Sequence, residues 1–160
     1  MNFDEAEALN RSIRAISIRH RALAVAALVP FGIHPGHKLL LIELEANGPL
    51  TQAQLAAASG FEPPTITLSV RQLEAVGLVI RRPSATDRRA TLVELSDLGR
   101  AVLPKVRTAW RHVAEQTVAG LTPAQAMQAR ELLPVLAAAL TAAVDPTKLP
   151  RYAPPSRPRK

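Results

Sequence analysis

Residues 55–95 read LAAASGFEPPTITLSVRQLEAVGLVIRRPSATDRRATLVEL, and this stretch decides the fold. Two short amphipathic segments flank Gly60, and two strand-like segments follow Gly77 with an arginine-rich loop between them. A glycine between two helices supplies the left-handed turn that lets the second helix cross the first sharply. One helix beside a basic hairpin is a geometry that suits duplex DNA. The stretch therefore predicts a helix-turn-helix followed by an antiparallel β-hairpin.

The second of these helices is predicted to have two distinct faces. Ile66, Val70 and Leu73 cluster on one face, which we expect to pack on the core. The opposite face and its flanks provide the candidate DNA contacts Pro64, Thr65, Thr67, Leu68, Ser69 and Arg71. An outward-facing Leu68 is consistent with contact to a thymine methyl group. It is equally consistent with an ordinary surface leucine that makes no such contact.

The hairpin is predicted to pair residues 78–82 with residues 91–95. Between residues 78 and 91 four arginines oppose one acidic residue, Asp87, which leaves a net charge of +3. Such a loop can reach phosphates or a narrow minor groove. Alternatively, Asp87 pairs locally with an arginine and the hairpin is only solvated. The candidate contacts here are Arg81, Arg88 and Arg89.

The composition favours a polyanionic partner. The chain has 160 residues, which suits one compact domain, and its formal net charge is +7. Cysteine is absent, which excludes disulfides and thiolate metal sites and fits a reducing cytoplasm. The apolar run at residues 39–42 is too short to span a bilayer, and the acidic N-terminus does not resemble a signal peptide. We therefore expect a cytoplasmic protein that is not in a membrane.

Long helices are predicted on both sides of the central stretch, over residues 4–29, from Ser96 to about Gly120, and from Thr122 onward. The apolar stripe of the first helix contains Leu9, Ile13, Ile16, His20, Leu23 and Ala27. A long helix with a narrow apolar seam needs a partner surface. A two-fold homodimer would place two recognition helices about 34 Å apart, which predicts a pseudo-palindromic operator.

The last segment has a different composition. Residues 145–160 contain five basic residues and five prolines. Such a segment cannot build a core and is predicted to be a disordered tail. It either adds nonspecific affinity for DNA or is inert.

With these motifs the chain resembles the MarR (multiple-antibiotic-resistance regulator) family over about residues 4–144. The residues that carry the resemblance are Pro63-Pro64-Thr65, Leu73-Glu74, Gly77-Leu78-Val79, Arg81-Arg82, Asp87-Arg88-Arg89, residues 92–96 and Gly99. The resemblance implies a mainly α fold with a small antiparallel β-hairpin. In this fold a winged helix-turn-helix lobe at about residues 37–96 is flanked by dimerisation helices at about residues 4–30 and 97–144.

The resemblance also implies a function. Family members are homodimeric transcription factors, mostly repressors, and many release double-stranded DNA when a small phenolic or anionic molecule binds between the dimer and DNA-binding lobes. Leu68 departs from the family, whose members often carry an arginine there. This departure argues against guanine readout by that residue.

Three residues are candidates for the effector site, namely His20, His37 and Trp110. His20 is a polar group on an apolar stripe, so it is either a packed histidine hydrogen-bonded across the dimer or a ligand-gating residue. Trp110 is interpreted as part of the core or of a pocket wall. The histidines at positions 34, 37 and 112 would need converging carboxylate or imidazole neighbours to bind a metal. Their spacing shows none, and we expect no metal or cofactor.

The favoured hypothesis is a sequence-specific DNA-binding transcriptional regulator, a repressor of nearby genes that a small-molecule effector releases from DNA. The alternative is a winged-helix module that binds protein, with weak or no specific DNA binding, which would explain the missing arginine at position 68. The sequence contains no phosphate-cradling glycine loop, nucleophile elbow or paired histidine and carboxylate motif. We therefore expect no enzymatic activity.

Overall fold

A computed structural model of the chain describes residues 1–84 and 90–143. The helices are α1 (Phe3–Leu28), α2 (Pro35–Asn47), α3 (Gln52–Ser59), α4 (Pro63–Ala75), α5 (Asp97–Val118) and α6 (Pro123–Ala143). The strands are β1 (Leu50–Thr51), β2 (Val79–Pro83) and β3 (Thr91–Leu95), and a short 3-10 helix (Val29–Phe31) joins α1 to α2. Arg88, Arg89 and the predicted tail at residues 145–160 lie outside the described residues.

The helix-turn-helix consists of α3 and α4, and local sequence signals set its bounds. The Thr51 hydroxyl accepts a hydrogen bond from the Gln54 N–H at 3.2 Å, and Gln54 Oε1 accepts one from the Thr51 N–H at 2.8 Å. Gly60 ends α3 with a φ of 70°, a left-handed conformation that glycine adopts without steric cost. Pro63 lies in the first turn of α4. The predicted capping box, turn and helix start are thus confirmed.

The sheet has three antiparallel strands in the order β1-β3-β2. β2 pairs with β3 from Val79 opposite Leu95 to Pro83 opposite Thr91. The predicted hairpin is therefore confirmed, with its first strand shifted by one residue. β1 adds a third strand in which Leu50 lies opposite Val93. The sequence analysis does not predict β1, because two residues are too few to show an alternating pattern.

The hydrophobic core joins α2, the helix-turn-helix, the sheet and α5. Ile66, Val70 and Leu73 are completely buried, which confirms the predicted core face of α4. They belong to one cluster with Leu55 of α3 and Leu103 of α5. The core therefore fixes α4 along one face and leaves its opposite face at the surface.

The first turn of α5 packs closely against the chain between α4 and β2. The Ser96 N–H donates a hydrogen bond to Leu78 O at 3.0 Å, and the Ser96 hydroxyl donates to Gly77 O at 2.6 Å. The Gly99 N–H donates to Ser96 Oγ at 2.9 Å, so Ser96 is the helix cap that the sequence predicts. A Cβ atom at Gly99 would lie 2.1 Å from Leu78 O. Only glycine fits this approach.

Residues 1–117 form one compact unit, and α1 keeps much of its apolar stripe at the surface of that unit. Ala24 and Leu28, near the end of the helix, are its buried residues. By contrast, Leu9, Ile16 and Leu23 are exposed. A contiguous exposed apolar face usually marks a site of interaction. The exposed stripe therefore supports the predicted need for a partner surface.

The described residues from Val118 to Ala143 belong to a second compact unit, which contains α6. The Thr122 N–H donates to Gln125 Oε1 at 3.0 Å, and the Gln125 N–H donates to Thr122 Oγ1 at 3.3 Å. This cap and Pro123, the first residue of the helix, confirm the predicted helix start. The helix is continuous through Pro134. α6 contains no buried residue. Its exposed large apolar side chains are Met127, Leu132, Leu133, Val135, Leu136 and Leu140.

No single helix in residues 1–84 and 90–143 is long and apolar enough to cross a membrane. The segments Phe3–Phe31 and Pro35–Asn47 reach that length and hydropathy only as a pair, and they are bent by 62°.

Candidate nucleic-acid interface

The outward face of α4 carries most of the candidate DNA contacts. The exposed candidates are Pro64, Thr65, Thr67, Leu68 and Arg71. About half of Leu68 is accessible, at 51%. The prediction that Ser69 lies on the exposed flank of this face is wrong, because only 4% of Ser69 is accessible. Ser69 comes three residues after Ile66, which places it on the core side of the helix.

Thr67 links the recognition helix to the helix before it. Its hydroxyl donates a hydrogen bond to Gln52 Oε1 at 2.9 Å and also lies 3.1 Å from Pro63 O. Gln52 is the first residue of α3. This contact was not anticipated from the sequence, since the two residues lie fifteen positions apart. It helps to fix the angle between α3 and α4.

Two arginines of β2 are held by carboxylates in the described structure. Arg81 Nε lies 3.4 Å from Glu74 Oε2 near the end of α4, and Arg82 Nε lies 2.5 Å from Glu94 Oε1 on β3. Arg81 therefore joins the hairpin to the recognition helix. Its side chain is 33% exposed, so Glu74 covers part of this candidate contact.

The electrostatics of this face favour an anionic partner. Arg71 has no ion-pair partner among the residues that the structure describes. Glu74, the acidic residue within α4, is already paired with Arg81. An exposed arginine, threonine hydroxyls and an apolar side chain on one rigid helix can contact phosphates and base edges.

The candidate effector residues fall into two groups. His20 and Trp110 meet edge to face with ring centroids 6.2 Å apart, and Lys38 Nζ lies 3.9 Å from the centre of the Trp110 ring. Burial lowers the pKa of Lys38. This cluster joins α1, α2 and α5, and sequence reasoning missed Lys38. His20 also lines a groove of about 480 Å³ between α1 and α5.

His37 lies in different surroundings. Only 3% of His37 is accessible, and its Nε2 lies 3.0 Å from Gln72 Oε1 of α4. Its ring packs against that of His34, with centroids 3.5 Å apart and the ring planes tilted by 32°. Burial, followed by the charge of His34, lowers the pKa of His37 to about 4, against a smaller opposing effect of the Gln72 hydrogen bond. The pair of histidines three positions apart is visible in the sequence, whereas its contact with Gln72 is not.

The described residues contain no cluster of three or more histidine, cysteine, aspartate or glutamate side chains arranged to hold a metal ion. His112 lies apart from the His34–His37 pair, with its Nδ1 3.6 Å from a Glu115 carboxylate oxygen.

We expect the free energy of unfolding to fall as the pH is lowered, because His37 binds a proton more readily in the unfolded chain. Its pKa is lowered from 6.5 to about 4 by folding, so its contribution is complete above pH 6.5 and is lost as the pH falls towards 4. Between pH 7.5 and pH 5 the loss amounts to about 2 kcal/mol. Urea unfolding at both pH values should show this loss in the wild type and a smaller pH dependence in His37→Gln, which keeps the contribution of His34, whose pKa is also lowered by burial and by the charge of Arg21. The control His112→Gln should behave like the wild type; equal pH dependence in His37→Gln would contradict the assignment.

The chain matches a family model and several solved structures. Residues 31–90 match the model described as the MarR family. A probable transcriptional regulator from Pseudomonas aeruginosa is 30% identical, with a TM-score of 0.69, over 80% of this chain and 96% of that chain. A mutant MarR from E. coli complexed with operator DNA is 21% identical, with a TM-score of 0.68, over 85% and 98% of the two chains. BpsR from Bordetella bronchiseptica, whose DNA binding is regulated by 6-hydroxynicotinic acid, is 22% identical, with a TM-score of 0.65, over 81% and 98%.

These matches agree with the geometry. The family model covers α2, the helix-turn-helix and β2. The Pseudomonas aeruginosa protein is matched over almost its whole length, and the two more distant structures share the fold. The chain therefore belongs to the MarR family and has the winged-helix fold of its transcriptional regulators.

Proposed function

We propose that the protein is a homodimer that binds a pseudo-palindromic operator in double-stranded DNA and represses nearby genes until a small-molecule effector releases it. The observation that carries this proposal is the exposed face of α4 beside the β2–β3 hairpin, held in place by a completely buried opposite face. A helix presented in this way can enter a major groove while the hairpin reaches the neighbouring backbone. The E. coli MarR mutant complexed with operator DNA has the same fold, which supports DNA binding by this fold. Binding to chromosomal DNA implies a cytoplasmic location.

The proposed contacts divide by chemistry. Thr65 and Leu68 contact base edges, because their short side chains lie on the exposed face of the helix. Arg71, Arg88 and Arg89 contact phosphates. Ser69 is left out, since it is buried. Arg81 contributes by holding the hairpin against α4 through Glu74.

The exposed apolar faces support the homodimer. The stripe of α1 and the apolar side chains of α6 lie at the surface of their separate units. A second copy of the chain would remove both faces from water, and this burial is the main driving force for association. In this proposal residues 1–144 form one domain, whose helices at about residues 4–30 and 97–144 make the dimer. The lobe at about residues 37–96 binds DNA.

Release by an effector requires a ligand that prefers a conformation with the wrong spacing between recognition helices. The cluster of His20, Lys38 and Trp110 joins α2 of the DNA-binding lobe to α1 and α5. It is therefore the candidate site for a phenolic or anionic effector. The regulation of BpsR by 6-hydroxynicotinic acid supports effector control in a protein of this fold.

A second candidate function is binding to another protein through the same surface. The observation that favours it is Leu68, an apolar side chain with 51% of its surface accessible on the face that would enter DNA. Without the arginine that family members often carry there, the face is also suited to an apolar partner surface.

The experiment is fluorescence anisotropy with fragments of genomic DNA, including the DNA next to the coding region, at several salt concentrations. We expect tight binding to a two-fold symmetric site, with affinity that falls steeply as salt rises because phosphate contacts release counterions. Light scattering should give twice 17.2 kDa. Binding that does not depend on salt, or no binding in dilute buffer, would favour the protein-binding alternative. A monomer would remove the argument for a symmetric operator.

A further inference from the structure

A cleft beside His37 lies where the segment between α1 and α2 meets the DNA-binding lobe, and none of the cluster residues His20, Lys38 and Trp110 lines it. It has a volume of about 440 Å³ and is lined by Gly32, Ile33, His34, His37, Gln72, Ala75 and Val76. We refer to it as the His37 cleft. Its walls come from the segment between α1 and α2, the first turn of α2, and the C-terminal end of α4. This volume suits a molecule of one or two rings.

His37, one of the residues that line the cleft, has a hydrogen-bond acceptor without a partner among the described residues. Because Gln72 Oε1 accepts from His37 Nε2 at 3.0 Å, the neutral His37 ring carries its lone pair on Nδ1. This Nδ1 atom is buried and has no hydrogen-bond partner in residues 1–84 and 90–143. Burial also lowers the pKa of His37 to about 4, so the ring is neutral at neutral pH. A buried acceptor without a partner is unfavourable unless something donates to it.

The neighbouring ring presents a donor. His34 Nδ1 accepts the Gly36 N–H at 3.1 Å, so the neutral His34 ring carries its proton on Nε2. Burial and the positive charge of Arg21 both lower the pKa of His34, which keeps this ring neutral as well. The two rings are in contact, with centroids 3.5 Å apart. The two adjacent rings therefore carry one acceptor and one donor between them.

This pattern selects against a carboxylate. A carboxylate group can only accept hydrogen bonds, so it would repel the Nδ1 lone pair of His37 instead of satisfying it. A lactam group, in which an N–H is adjacent to a carbonyl oxygen, presents one donor and one acceptor together. The apolar walls formed by Ile33, Ala75 and Val76 suit the faces of a planar ring.

We propose that the His37 cleft binds a small, neutral, planar heterocycle through a lactam edge, and that this ligand weakens DNA binding by acting on the end of α4. The N–H of the ligand donates to His37 Nδ1, and its carbonyl oxygen accepts from His34 Nε2. The ligand contacts Gln72 and Val76, so filling the cleft changes how α4 packs against α2. The regulatory half of this inference rests on the proposed function, whereas the binding half does not.

The binding half is tested with 2-pyridone, followed through the histidine ring signals in NMR spectra of the full chain. We expect 2-pyridone to shift the His37 and His34 signals. Its 1-methyl derivative, which lacks the donor, and benzoate, which only accepts, should bind at least about tenfold more weakly. If the methyl derivative or benzoate bound as tightly as 2-pyridone, the ligand would not need an N–H donor, and the proposed recognition would be wrong. No shift at millimolar 2-pyridone would mean that water alone occupies the cleft, which overturns the site.

Variants provide a second measurement. Val76 is 41% exposed and lines the cleft, so Val76→Phe should fill the cleft, keep the fold and abolish the shifts caused by 2-pyridone. Leu98→Phe is the matched control, because Leu98 is a similarly exposed apolar residue that does not line the cleft. It should bind 2-pyridone like the wild type. If a folded Val76→Phe variant bound 2-pyridone as tightly as the wild type, the ligand would bind outside the His37 cleft.

The regulatory half is tested by adding saturating 2-pyridone to the DNA anisotropy assay. We expect at least a fivefold loss of operator affinity in the wild type and in Leu98→Phe, and none in Val76→Phe. If 2-pyridone binds at His37 and the DNA affinity does not change, regulation through this cleft is wrong. If the protein binds no DNA at all, the proposed function fails, and the NMR result still decides whether the site exists.

Discussion

Replacing Gly99 by alanine is expected to lower the free energy of unfolding by about 3 kcal/mol or more, which is at the upper end of overpacking effects. The added Cβ atom would lie 2.1 Å from Leu78 O, a backbone atom. Real Cβ atoms do not approach this closely, so either the helix or the strand segment has to move. The substitution therefore strains the junction between α5 and the chain that leads into β2.

Neither side of this junction can move without losing further contacts. Leu78 O accepts the Ser96 N–H, Gly77 O accepts the Ser96 hydroxyl, and the Gly99 N–H donates to Ser96 Oγ. Shifting α5 breaks this capping arrangement. Shifting the strand disturbs Val79, a core residue with 1% of its surface accessible. The clash is thus shared by two elements that the core already fixes.

Thermal and urea unfolding measure the effect, with Gly120→Ala as the matched control. A Cβ atom at Gly120 would meet no described atom within 4 Å, so this variant should unfold like the wild type. We expect the midpoint of thermal unfolding of Gly99→Ala to fall by roughly 6–12 °C. If both variants were equally stable, the close approach at Gly99 would be wrong.

The bounds of most elements could be predicted because the signals that set them are local. Thr51 and Gln54 form their capping box within a single turn, and Gly60 needs only its own φ angle. The buried face of α4 follows from the three- and four-residue spacing of its apolar side chains. β1 has no such signal, since Leu50 and Thr51 become a strand only through pairing with β3.

The remaining features depend on contacts between distant parts of the chain. Ser69 has the polarity of a surface residue, yet packing on the core side of α4 buries it. The contact between His37 and Gln72 spans 35 positions, and the clash at Gly99 depends on a carbonyl 21 positions earlier in the chain. Helical periodicity places a side chain on a face of its own helix, but it does not identify the residue that lies opposite.

The Glu74–Arg81 ion pair at the candidate interface is another contact that helical periodicity does not predict. The sequence predicts that Arg81 contacts DNA. It does not show that the Glu74 carboxylate on α4 lies 3.4 Å from the Nε atom of Arg81. The ion pair makes the recognition helix and the hairpin one unit. As a result, the arginines further along the hairpin connection become the expected source of phosphate affinity.

The double substitution of Arg88 and Arg89 by alanine is expected to weaken binding to every DNA sequence by roughly 10- to 100-fold at low salt. The sequence places both residues in the connection between β2 and β3. If each contacts one phosphate, their loss should reduce the slope of log affinity against log salt by about 2. Anisotropy titrations from low to moderate salt, on an operator fragment and on an unrelated fragment, measure both quantities.

Two further variants separate the phosphate contacts from base readout. Lys105 and Arg111 are exposed on α5 outside the candidate interface, so replacing both by alanine removes the same charge and should change the slope little. Leu68→Ala should alter the preferred sequence in a randomised-site selection while leaving the salt slope intact, because an apolar contact releases no counterions. A loss confined to the operator in the Arg88 and Arg89 variant would assign these arginines to base readout instead. An unchanged preference in Leu68→Ala would show that Leu68 does not read bases, and Thr65 would remain as the proposed base contact.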